Sequence, residues 1–190
     1  MIGLIIALGL IAALAVYGLG IYNGLVRLRD GIEAAWAEVD ALLKERHDEL
    51  PNLIEICKRY MQFEPQSLEK VMRARTAVAQ ASAARNVAAV GAAEQRLRAG
   101  VTRMVAAAEG YPHLRADLAF ARLRDRIIAL EASIADRRES YNGQVNLNNI
   151  RINVFPDAVI ALQLGFRCAE LLEFAEAERP GLGVGALSRA

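Results

Sequence analysis

The chain has 190 residues, 54% of them hydrophobic and 24% charged, and 23 basic side chains against 22 acidic ones leave a net charge of +1. A chain this apolar buries enough surface to offset its ordering entropy, which excludes disorder, and the balanced charge leaves no bulk electrostatic basis for binding nucleic acid. Two cysteines, Cys57 and Cys168, are too few for a secreted disulfide scaffold and suit a reducing compartment.

Residues 2–21 are wholly apolar apart from Tyr17, and the first charge is Arg27. Twenty helical residues span about 30 Å, the thickness of a bilayer's hydrocarbon core. Five Ile, five Leu and one Val in that stretch favour insertion by about 3 to 7 kcal/mol. The expectation is a transmembrane anchor over residues 1–26, with Ile2, Leu8, Ile11 and Leu14 in lipid and Tyr22 as its interfacial aromatic. The competing reading is a cleaved signal peptide with Ala13-Leu14-Ala15 at the cleavage site. It lacks a basic leader, and its apolar stretch is longer than such signals carry. Arg27 and Arg29 flank only the C-terminal side, so the positive-inside rule predicts the N-terminus outside and the remainder in the cytoplasm.

Beyond the anchor, Ile32, Trp36, Val39, Leu43, Leu50, Leu53, Cys57 and Tyr60 recur at helical spacings. The anchor is therefore expected to continue into a first bundle helix reaching about Phe63, roughly 93 Å in all, with a kink at Pro51. A second long helix starts at Pro65 and carries Leu68, Val71, Met72, Arg75 and Val78. It passes through an alanine-rich middle weakened by Asn86 and Gly91, and resumes at Val90, Leu97, Val101, Met104 and Val105. Gly110-Tyr111-Pro112 stops it. A third helix has the most regular stripe, Phe120, Leu123, Ile127, Leu130, Ile134, Tyr141, Val145 and Ile152, and ends at Phe155-Pro156. A short fourth helix follows to about Ala177, before a flexible tail over 179–190. The fold class predicted is all-α: an antiparallel up-and-down bundle of three long helices and one short one, occupying residues 27–178, with no strand required.

The ordered series Tyr22-Asn23-Gly24-Leu25-Val26, Trp36, Leu50-Pro51-Asn52-Leu53, Ala74-Arg75, Glu109-Gly110-Tyr111-Pro112, Tyr141-Asn142 and Phe155-Pro156 resembles the LemA family. These are bacterial membrane proteins with one N-terminal helix and a helical, largely cytoplasmic domain. The resemblance runs from the membrane helix to about Phe174. It implies a single-pass protein of the bacterial plasma membrane, and it supplies architecture rather than a chemical mechanism.

Catalytic chemistry finds little footing. The only histidines are His47 and His113. Lys44 and Gly110 stand where a di-iron bundle would need glutamates, and no His-Glu-x-x-His or paired-cysteine zinc signature exists. Glu109 and His113 are separated by Pro112 and a turn. Cys57 lies on the apolar stripe, about 15 Å along the helix from His47, which reads as a core thiol rather than a nucleophile. Gly181, Gly183 and Gly185 follow no strand, so they are not a phosphate loop. The expectation is no enzyme, no catalytic residue, no cofactor and no metal.

Three features suggest association. Gly20 and Gly24 form a Gly-x-x-x-Gly pair at the membrane helix end. Asn142, Asn146, Asn149 and Asn153, with Asn148 beside them, share one face of the third helix. They read either as inter-helix hydrogen bonds or a solvated face, or as a polar seam toward another protomer or partner. The apolar segment Ala158 to Leu172 either closes the bundle, lies on the membrane, or enters a subunit contact. The functional expectation is a non-enzymatic membrane scaffold or adaptor that self-associates. The alternative is an accessory subunit of a membrane protease or other envelope enzyme, with the partner supplying catalysis. The partners expected are the lipid bilayer, further copies of the chain, and an unidentified membrane protein.

Overall fold

The computed structural model describes residues 1–61 and 65–173, and every regular element among them is a helix. In chain order these are α1 (Ile2–Tyr60), α2 (Pro65–Ala83), α3 (Val87–Ala108), α4 (Pro112–Arg115), α5 (Leu118–Arg151) and α6 (Asp157–Leu164). The 59 residues of α1 span about 89 Å at 1.5 Å per residue. Its first part, through Leu19, presents its large apolar side chains to the outside, whereas from Ile21 its stripe turns into contacts with other helices. Pro51 lies inside α1 and the helix continues through it.

The core collects the stripes expected from the spacing. Val39, Leu50, Leu53, Ile54 and Cys57 of α1 are buried with Val71 and Val78 of α2, Leu97 and Met104 of α3, and Phe120, Ile127 and Ile134 of α5. The register of α1 against α5 can be followed through contacts along their length. Tyr60 donates to Asp117 at 3.2 Å, Arg126 bonds Glu45, Arg137 meets Glu38 at 3.3 Å, and Trp36 packs edge-on against Tyr141 with centroids 5.6 Å apart. Numbers fall along α1 as they rise along α5. The same inverse order relates α1 to α2, through Arg75 donating to the His47 carbonyl at 2.8 Å, Ser82 bonding Asp40, and Arg85 lying 3.2 Å from Glu33.

Two helix boundaries differ from the sequence expectation. The second long helix is two helices. Arg85 adopts a positive φ of 50°, and Asn86 takes extended geometry and caps α3, its side-chain oxygen accepting from the Ala89 amide at 2.9 Å. Asn86 thus starts a helix rather than weakening one, because asparagine's short amide competes with the helical ladder. The C-terminal helix also stops early, at Leu164. Gly165 takes a left-handed φ of 74° and ends it, and residues 165–173 continue without regular structure. The expected continuation over 174–177, the tail over 179–190 and the approach to Phe63 lie outside the described residues.

Candidate functional site

Three polar or exposed features stand apart from ordinary core packing. The first is ionic. Arg46 of α1 and Glu94 of α3 are each 2% exposed and form a direct ion pair at the centre of the bundle. Glu131 of α5 completes the group. Burial raises its carboxyl above the usual range, outweighing the opposing pull of Arg46 and Arg98. Nε of Arg46 and Oε1 of Glu131 are buried without a hydrogen-bond partner among the described residues. Sequence reasoning missed this cluster, yet the signal existed. Arg46 falls in the seven-residue gap between Leu43 and Leu50, and Glu94 in the gap between Val90 and Leu97, each on a stripe that otherwise reads as apolar.

The second feature is a groove along α5 that holds the chain's own C-terminal segment. Asn142 accepts from the Leu172 amide at 2.8 Å and donates to the Leu172 carbonyl at 3.2 Å. One helical heptad later, Asn149 does the same to Ala169, at 2.9 Å in both directions. Seven helical residues rise about 10.5 Å, and three extended residues cover about 10 Å, so the spacing of the two amides matches an extended chain. Beside them, the Tyr141 hydroxyl donates to the Glu170 carbonyl at 3.0 Å, and the Asn148 amide donates to the Arg167 carbonyl at 3.5 Å. Asn153 donates to the Asn149 carbonyl at 2.7 Å and reaches the Cys168 sulfur, while Asn146 is exposed.

Leu172 is the apolar anchor of this segment and is fully buried. Gly91 of α3 lets the segment lie flat. A Cβ there would collide with the Glu173 carbonyl oxygen. Of the asparagine face seen in the sequence, Asn142 and Asn149 hold the backbone of a non-helical strap rather than another helix, whereas Asn153 bonds its own helix and Asn146 is exposed.

The third feature is the apolar first part of α1. An 18-residue window in it has a mean hydropathy of 2.5 with none of it buried, which by length and composition is enough to cross a membrane. Ile2, Leu8, Ile11 and Leu14 are all exposed, and Tyr22 stacks edge-on with Phe166 at 6.2 Å. The two glycines proposed for association differ. Gly20 has open space around it, whereas the Arg151 guanidinium lies over Gly24, 3.0 Å from where a Cβ would sit.

The titratable groups weighed for chemistry are dispersed. Cys57 is buried and its thiol is pushed up to about 11 by desolvation, which suits a core residue. The His47 imidazole is held below its ordinary value by burial and then by Arg75. It lines a cleft of about 560 Å³ between α1 and α2, where the Ser82 hydroxyl donates to Asp40 and Lys44 lies 4.0 Å from the same carboxylate. His113 is in α4, and Glu109 caps the end of α3. Among the described residues no three His, Cys, Asp or Glu side chains converge as a metal site requires.

No curated protein matches the chain. The model of the LemA family matches residues 35–183, a span that starts within α1 and takes in the strap. That match covers most of the chain and includes the ionic cluster and the asparagine groove, and on it the chain belongs to the LemA family.

Proposed function

We propose that this protein is a membrane-tethered, non-enzymatic scaffold or adaptor of the bacterial plasma membrane, with its N-terminus outside and its helical domain in the cytoplasm. The observation that carries the reading is the continuity of α1. One helix holds both the exposed apolar stretch and the first stripe of the core, so the tether and the bundle move together. The inverse registers of α1 with α5 and with α2 fit an antiparallel up-and-down arrangement of the helices. Orientation follows from Arg27 and Arg29, which lie on the bundle side of the apolar stretch.

Self-association has a route in the strap. Asn142 and Asn149 engage main-chain groups, so residues 166–173 of a second copy would satisfy them equally well, and Gly165 is the hinge for such an exchange. The test uses the full chain. Alkaline extraction should leave it in the membrane pellet, and Cys168, the exposed thiol, should resist impermeant maleimide in intact cells but react in inverted vesicles. Light scattering in mild detergent should give an assembly larger than a monomer, and N142A/N149A should shift it toward the monomer. A strict wild-type monomer at micromolar protein refutes self-association. Labelling of Cys168 from outside refutes the orientation.

A further inference from the structure

Among the described residues, the corner between α5 and α6 gathers most of the exposed large apolar side chains outside the first part of α1. Phe155 is 80% and Leu162 84% exposed, with Ile150, Val154, Val159 and Leu164 exposed beside them. No charged side chain occurs from Ala158 to Phe166. A patch of this kind in water has a high cost, and its location says what covers it.

α6 and its flanking residues meet α1 over Gly18 to Leu25, and Leu164 at the end of α6 shares a cleft with Arg29, Ile32 and Glu33. Ile160 reaches Gly18 at 3.7 Å, Ala161 and Ile152 bury themselves against Ile21 and Leu25, and Phe166 stacks on Tyr22. If residues 2–21 fill the hydrocarbon core, Gly18 and Ile21 lie within its last ~5 Å and Leu25 lies ~6 Å past it. The corner therefore sits at the boundary between acyl chains and headgroups, continuous with the lipid-facing surface of α1. Polarity changes at that boundary. Arg27 and Arg29 follow on α1, Arg167 follows α6, and Arg151 bridges Asp157 at 2.6 Å while its guanidinium covers Gly24. Cationic side chains in that position suit lipid phosphates.

We propose that the α5–α6 corner is a second membrane contact, an apolar wedge centred on Phe155 and Leu162 that enters the cytoplasmic-side interface of the same bilayer and is rimmed by arginines. It rests on the reading of α1 as the anchor. The wedge fixes the bundle's tilt and height above the membrane, which a single helix leaves free to rotate.

Depth-dependent quenching tests it on the full chain in vesicles of phosphatidylcholine and phosphatidylglycerol. Single labelling sites L8C, L162C and A132C, each with C168S, carry an environment-sensitive fluorophore; Cys57 is buried and stays unlabelled. Leu162 and Ala132 are exposed, so neither substitution disturbs packing. Position 132 is 19 residues before the end of α5, about 28 Å along it. With nitroxide placed high on the acyl chain, emission at position 162 should fall about twofold, as for a group ~5–10 Å into the interface. Position 8 should be quenched by deeper nitroxide, and 132 by neither. Quenching at 8 without quenching at 162 overturns the wedge alone, including the case where a second copy shields 162. No quenching at 8 overturns the anchor reading and the wedge with it.

Discussion

Removing one member of the Arg46–Glu94 pair should be far more damaging than removing both. Arg46→Met deletes the cation facing Glu94, and both side chains are 2% exposed. The stranded carboxylate then has neither water nor counter-charge, a situation that costs about 3–5 kcal/mol. For a domain of this size that lowers the unfolding midpoint by about 6–20 °C. Glu131 worsens it, because Arg46 is the main attraction opposing its burial. The double variant R46M/E94L replaces the pair by apolar side chains and should recover most of that loss, falling short of wild type only by what Glu131 still costs without Arg46. The coupling energy from the full cycle is then several kcal/mol. Trp36, the single tryptophan, is buried against Tyr141, so its fluorescence during denaturant unfolding in mild detergent reports the bundle rather than the tether. A loss below about 1 kcal/mol for R46M, or a double variant costing the sum of the singles, would show that the cluster is hydrated and the reasoning wrong.

The remaining expectations use the same readout or a simple chemical one. The Glu131 carboxyl is raised by burial, so its contribution to stability is fully present below the ordinary glutamate range and is lost as pH rises through the elevated folded value. E131Q should lack that fall, unfolding later than wild type at pH of about 7.5 and together with it at about 3.5; a destabilised E131Q at neutral pH contradicts this. G91A gains about 0.8–1.0 kcal/mol of helix propensity but drives a methyl into the Glu173 carbonyl. The strap should lift, giving up the ~1.5–3 kcal/mol of Leu172 burial, and trypsin should cleave after Arg167 faster; unchanged cleavage would mean that α3 yields instead. In the folded protein iodoacetamide should modify Cys168 readily and Cys57 only after denaturation, since the latter's thiol is buried and pushed up to about 11. Mass spectrometry of the two peptides decides it, and prompt modification of Cys57 would contradict the burial.

Much of the architecture was legible because it depends on local chemistry. The uncharged run through Val26, the three-and-four spacing from Ile32 to Tyr60, the stop at Gly110-Tyr111-Pro112 and the stripe from Phe120 to Ile152 each reflect side-chain periodicity along one helix. Pro65 begins α2, as its fixed φ suits. The break at Asn86 is not legible locally, because the alanine-rich sequence around Arg85-Asn86-Val87 makes a continuous helix as favourable as a hairpin. The choice is made by packing α2 on α3 while Asn86 caps the new start.

The amino-acid order by itself determined that the chain is helical and roughly where its long helices run, which stretch is apolar enough for a bilayer, and which faces seek a core, since burial and helix geometry act over a few residues. Tertiary structure alone decided that Arg46, Glu94 and Glu131 meet, that Asn142 and Asn149 grip a non-helical strap, and that α6 lies level with Gly18 to Leu25. Those outcomes depend on pairings between residues tens of positions apart, and desolvation makes them favourable only once the intervening helices are packed.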